Sequence, residues 1–140
     1  MTDEIRVKLT IASTTLSAKD INSLLSIQAD YFQVLGEMNR LKTKVYPLHV
    51  WMLKNEHQVK GVNIGDQIEE CISRFLQRVE LASSLIKNLS KEHQVEVGLY
   101  LFVREVPPIS LSKEQIELIT KLGASLDIDI VLYADGQSRE

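Results

Sequence analysis

Two stretches of the chain alternate apolar and polar residues with a period of two, and this dictates a sheet with one buried face. In the first, Ile5, Val7, Leu9 and Ile11 alternate with Arg6, Lys8 and Thr10; in the second, Val95, Val97, Leu99, Leu101 and Val103 enclose Glu96, Tyr100 and Phe102. Successive side chains of a strand point to opposite faces. Each stretch therefore buries one row and offers the other to solvent or to a partner. Pro107-Pro108 closes the second stretch by removing two backbone donors. Leu126, Ile128, Ile130 and Leu132, interleaved with Asp127, Asp129 and Val131, predict a terminal strand with one wetter face. Residues 45–53 are rich in β-branched and aromatic side chains and predict a fourth strand, in which Pro47 favours an edge position or a bulge.

The helices announce themselves by their caps. Ser17 and Asp20 have capping-box spacing, and Ile21, Leu24 and Leu25 follow at helical spacing, which predicts a helix over 18–25. Ser112 and Gln115 repeat the box, Leu111 and Ile116 have staple spacing, and Gly123 stands where a left-handed cap is expected, so a helix should cover 113–122. Between these lies an apolar stripe of Ile68, Cys71, Ile72, Phe75, Leu76 and Val79, preceded by Gly61 and Gly65 and introduced by Asp66, Glu69 and Glu70. Leu81, Leu85, Ile86 and Leu89 continue it at a shifted phase. That shift means either a bend near Glu80 or two consecutive helices. Residues 28–44, with Gly36 and Asn39 as turn positions and Arg40, Lys42 and Lys44 as local positive charge, read as a loop with room for one short strand. The polar tail after Tyr133 is expected to fray.

A chain of 140 residues, 44% hydrophobic and 25% charged, suits a single folded domain over 1–140. The predicted class is α+β: a mixed sheet from two βαβ-like halves joined by the central helical segment, with helices on one face, a relative of the ferredoxin-like fold. A weak internal echo supports the two halves, since Leu16-Ser17 with Ile21 and Leu25 repeats as Leu111-Ser112 with Ile116 and Leu122.

These residues resemble a family of small bacterial proteins catalogued as domain of unknown function 4279. The resemblance spans about residues 7–133. It is carried by Leu16-Ser17 with Ile21 and Leu25, Gly36, Trp51-Met52-Leu53, and the ending from Leu111-Ser112 through Leu122-Gly123 to Leu126-Asp127-Ile128-Asp129-Ile130. The chain departs from the family's frequent proline after the first helix, since residues 26–30 contain none. The resemblance implies a fold and carries no activity with it.

Charge and motifs narrow the function classes. A net charge of −3 with both signs interspersed argues against a phosphate-backbone binder. The lone Cys71 forms no internal disulfide, the first residues lack a secretory pattern, and no apolar run reaches membrane-spanning length, so a cytoplasmic protein without membrane association is predicted. His49, His57 and His93 have no Cys, His or carboxylate at a recognised ligand spacing. Cys71 sits in an apolar stripe, as unpaired cysteines commonly do. Neither a nucleophile elbow, a P-loop nor a dinucleotide fingerprint occurs. The expectation is therefore no metal, no organic cofactor and no catalytic residue.

The candidate binding residues are the acidic helix start Asp66, Glu69 and Glu70, the aromatics Tyr100 and Phe102 of the open sheet face, and Asp127 and Asp129, which project from one face of the last strand. First-turn acids also offset a helix dipole, and paired strand carboxylates are ordinarily solvated. Tyr46 and Trp51 are aromatic candidates of interface type, with Trp51 assigned to the core. Arg6 and Lys8 beside Tyr100 and Phe102 follow the logic of an RNA-binding sheet, but Glu96, Asp127 and Asp129 share that face and the aromatic RNA-recognition motif is missing. The favoured reading is a non-enzymatic protein-binding module, specifically a bacterial immunity or antitoxin-like protein that occludes a basic toxin domain. A small-molecule or RNA-binding module using the open sheet face, or an enzyme outside the known signatures, is the alternative.

Overall fold

The two alternating stretches become neighbouring strands at the middle of a five-stranded sheet. A computed structural model describes residues 2–134; of the tail expected to fray, all but Ala134 lies outside the described residues. The chain runs β1 (Glu4–Ser13), α1 (Ala18–Leu25), β2 (Tyr31–Gln33), β3 (His49–Gln58), α2 (Ile64–Val79), a 3₁₀ turn (Glu80–Ala82), α3 (Ser83–Leu89), β4 (Gln94–Val103), α4 (Lys113–Lys121) and β5 (Ser125–Leu132). The strands lie in the order β2-β3-β1-β4-β5. β1 is antiparallel to both β3 and β4, β2 is antiparallel to β3, and β5 is parallel to β4.

This is a mixed sheet in an α+β fold, as the sequence predicts. β2 runs parallel to β1 with β3 between them, so β1, α1 and β2 form a split βαβ unit. The order β2-β3-β1-β4 is the ferredoxin-like arrangement, extended here by α4 and β5. The two halves differ in kind, because β4, α4 and β5 form a βαβ unit whose strands are adjacent.

The helical layer covers the face to which Ile5, Val7, Leu9 and Ile11 of β1 and Val95, Val97, Leu99, Leu101 and Val103 of β4 point, all buried. Against them pack Ile21 and Leu25 of α1, Ile68, Ile72, Phe75, Leu76 and Val79 of α2, Ile86 of α3, and Ile119 of α4 with Leu122 after it. Both capping boxes form: Ser17 with Asp20, and Ser112 with Gln115. Ser26 ends α1 in the left-handed conformation at φ 55°, so the turn is made without a proline. Gly123 follows α4 at φ 65°.

Two expectations are corrected, the bounds of the strand at 45–53 and the burial of the β5 row, and two points left open, the start of α2 and the join near Glu80, are settled. The strand placed at 45–53 runs instead from His49 to Gln58, and Pro47 lies in the loop before it. Its polar end reads as loop in sequence, yet all ten residues pair with β1, from Ser13 opposite His49 to Glu4 opposite Gln58. α2 begins at Ile64 and so includes Gly65. The phase shift near Glu80 is a 3₁₀ joint between two helices, which turns Leu81 and Leu85 outward while Ala82 and Ile86 face the core. Finally, the apolar row of β5 is only partly a core row: Ile130 is half-buried against the core, while Leu126, Ile128 and Leu132 are exposed.

Candidate binding face of the sheet

With every helix on one side, the opposite face of the sheet is bare, and strand register fixes what stands on it. One row runs Glu56, Arg6, Tyr100, Asp129 across β3, β1, β4 and β5; the next runs Lys54, Lys8, Gly98, Asp127. A third holds Gln58, Glu4, Phe102 and Val131, and a fourth Met52, Thr10, Glu96 and Ser125. Arg6, Lys8 and Lys54 thus stand on β1 and β3 together with Glu4 and Glu56, whereas the charged residues that β4 and β5 bring to this face, Glu96, Asp127 and Asp129, are all acidic.

The bases are engaged within the sheet. Arg6 Nε donates to Glu4 Oε2 at 2.5 Å, lies 3.9 Å from Glu56 Oε1, and its guanidinium sits 4.6 Å from the Phe102 ring centroid. Lys54 Nζ is 3.6 Å from Glu56 Oε1. Lys8 Nζ lies 4.6 Å over the Tyr100 ring, a cation–π contact. Burial lowers the Lys8 pKa, the neighbouring Arg6 and Lys54 charges lower it further, and Glu56 opposes them. The Tyr100 ring lies flat across Gly98, where a Cβ would meet its Cε2 at 2.5 Å. Burial raises the Tyr100 pKa, and the charges of Glu96, Asp127 and Asp129 raise it further. Burial is the larger cause; the smaller contribution of the three carboxylates reflects their nearness to Tyr100 on the β4–β5 side.

The structure brings Tyr100, Phe102, Asp127 and Asp129 onto this one face. Asp66, Glu69 and Glu70 lie elsewhere, exposed on α2, where Glu70 pairs with Arg74 one turn on. The histidines are dispersed. His49 Nδ1 accepts from Leu35 N at 3.1 Å, and His57 Nε2 is 2.9 Å from Gln67 Oε1. His93 lines a cleft of about 310 Å³ with Thr15, Leu16, Asn88 and Leu89. His57 and the half-buried Cys71 share a cleft of about 290 Å³ with Arg74. Burial raises the Cys71 pKa, with Arg74 opposing, so the thiol stays protonated at neutral pH. Both volumes fall near the lower end, about 300 Å³, of cavities that hold small ligands. Among the described residues, no group of three or more His, Cys, Asp or Glu could hold a metal ion. Among them, too, no helix is long and apolar enough to cross a membrane. Trp51 is fully buried and its Nε1 donates to Asn22 Oδ1 at 2.8 Å, while Tyr46 is half-exposed in the loop before β3.

Sequence reasoning missed Glu4, which lies outside the alternating stretch read from Ile5 to Ile11, yet is buried on the open face, where it anchors Arg6. It also missed the exposed apolar residues of the loop between β2 and β3, in which Met38 bridges Val45 and Met38, Leu41 and Val45 are exposed. The turn residues Gly36 and Asn39 and the bases Arg40, Lys42 and Lys44 were the only signals there.

Topology and surface define an α+β protein of ferredoxin-like strand order, lengthened by a fifth strand, with one ion-paired and uncovered sheet face. Residues 3–133 match the family described as a domain of unknown function (DUF4279), and the chain belongs to that family. No curated protein and no solved structure matches it.

Proposed function

We propose that the chain is a non-enzymatic protein-binding module that acts in the cytoplasm and occludes a basic toxin domain, in the manner of a bacterial immunity protein or antitoxin. The observation that supports this reading is the uncovered sheet face, broad and mixed in charge, with Glu96, Asp127 and Asp129 gathered around Tyr100 on its β4–β5 side. A face of this kind complements a basic, partly apolar protein surface. Clustered carboxylates also speed encounter with a basic partner by electrostatic steering.

RNA fits the same face less well. An RNA strand needs cations for its phosphates and free rings for its bases. Here Arg6 caps Phe102 and Lys8 caps Tyr100, and Arg6 and Lys54 are paired with Glu4 and Glu56. Binding RNA would break these contacts and bring phosphates beside carboxylates.

The test is co-expression with a basic toxin domain encoded beside the chain in its native genome. The reading expects a stoichiometric complex, loss of toxin activity, and association that weakens as salt rises. Failure to bind any such domain, together with a small molecule held in one of the clefts, would overturn it.

A further inference from the structure

We infer that β5 is a strand-addition edge: an extended segment of the partner pairs with its outer side, placing basic side chains on the open face and apolar ones on the helical side. The inference rests on the protein-binding reading and names the chemistry of its contact. β5 ends the sheet, and among the described residues no strand lies beyond it and none is a ladder partner for its outer peptide groups. Edges are ordinarily blunted by shortness, charged side chains, proline or a bulge. β5 is not short and has no proline, lysine or bulge; its only charges are Asp127 and Asp129, both on one face, and these repel other acidic edges while suiting a basic strand. It is eight residues long, reads Ser-Leu-Asp-Ile-Asp-Ile-Val-Leu, and pairs with β4 in unbroken register from Ser125 to Leu132.

Its two faces differ in chemistry. Toward the helical side, Leu126, Ile128 and Leu132 are 38%, 41% and 55% exposed, and Ile130 between them is half-buried against the core. On the open face stand Asp127 and Asp129, both exposed. A second copy is a poor occupant. Two-fold antiparallel pairing of β5 with itself keeps both open faces on the same side, so the aspartates of one copy would stand against those of the other, and like charges across strands are destabilising. Parallel two-fold pairing would flip one sheet and set the carboxylates beside Leu and Ile. A segment alternating Lys or Arg with apolar residues instead meets each aspartate with a cation and covers the apolar row, the combination of main-chain bonding and alternate side-chain contacts by which sheets take up peptides.

The test uses the full chain and nine-residue peptides alternating lysine with valine or glutamate with valine. The lysine–valine peptide is also made with N-methyl groups on one or the other alternate set of amides. The inference expects the unmodified lysine–valine peptide to slow hydrogen exchange of β5 amides. It expects at least tenfold weaker binding for the glutamate peptide and for the Asp127→Asn, Asp129→Asn double variant, and loss of binding for one methylated peptide only. Equal binding of both methylated peptides, unchanged β5 exchange on binding, an unaffected double variant, or concentration-dependent burial of β5 by self-association would each overturn it. If β5 takes up the peptide but the chain neutralises no toxin, the inference stands and the toxin reading falls. If a toxin binds and β5 exchange is unchanged, the toxin reading stands and the inference falls.

Discussion

Asn22 shows how much one polar side chain can organise. Its Oδ1 accepts from the buried Trp51 Nε1 at 2.8 Å and from Ala29 N at 2.9 Å, so it joins α1 to β3 and fixes the chain that leaves α1. An unsatisfied buried donor costs about 1–3 kcal/mol. Asn22→Leu should therefore lower unfolding free energy by about that amount, measured in urea through the fluorescence of the chain's one tryptophan. In a Trp51→Phe background, followed by circular dichroism, the same substitution should cost clearly less, since no indole N–H is stranded. Gly98 and Tyr100 form a second local unit. Gly98→Ala must push the Tyr100 ring off the strand and away from Lys8, and should destabilise by about 1–3 kcal/mol as overpacking does. With Tyr100→Ala already in place, the glycine substitution should be neutral or stabilising, because alanine costs less strand entropy. A double-mutant cycle by chemical denaturation measures the coupling.

Among the elements, Gln115 ties two helices together. It is 1% exposed; its Nε2 donates to Glu69 O and to Ser73 Oγ, both at 2.9 Å, and its Oε1 accepts from Ser112 N at 2.9 Å. Gln115→Glu sets a carboxylate against the Glu69 carbonyl, which raises the folded pKa of the new acid. Its neutral form then fits the fold better than its charged form. The destabilisation should be small below the unfolded carboxyl pKa of about 4.3 and grow as pH rises above it, whereas Gln115→Leu should show no such slope. Urea titrations at several pH values distinguish the two. The Ser112–Gln115 spacing made the cap legible in sequence, but not the reach to α2, because spacing along one helix says nothing about its neighbour. The same limit explains β3 and β5. β1 and β4 were readable because alternation coincides with burial along their length. In β3, Asn55 and His57 occupy helix-side positions and look like loop, yet Arg78 donates to Asn55 and Gln67 pairs with His57. In β5, alternation identifies an apolar row correctly but cannot say whether any layer covers it.

At the scale of the whole molecule, the two ends of the described chain are joined and the charge is polarised. The Tyr133 hydroxyl donates to Asp3, and Tyr133 N donates to Val103 O at 3.0 Å, so the end of the described chain is fastened beside β1 and β4. Burial and then the Asp3 acceptor raise the Tyr133 pKa, with Arg104 opposing. An acid whose folded pKa is raised contributes stability that is intact below its unfolded value, about 10 for tyrosine, and lost as pH rises through the folded value. Urea midpoints should therefore fall on the alkaline side of about pH 10, and the fall should be shallower in Tyr133→Phe. Charge polarity across the sheet bears on function: Arg40, Lys42 and Lys44 lie in the loop between β2 and β3, while Asp127 and Asp129 mark the far edge. The face and its acidic residues were legible because strand parity places them; the position of β5 at the end of the described sheet was not, because strand order is a long-range property. The most direct test of the protein-binding claim is carbodiimide cross-linking, read by mass spectrometry, of the complex recovered from native cells. The account predicts partner lysines joined to Glu96, Asp127 and Asp129; links confined to Asp66, Glu69 and Glu70 would contradict it.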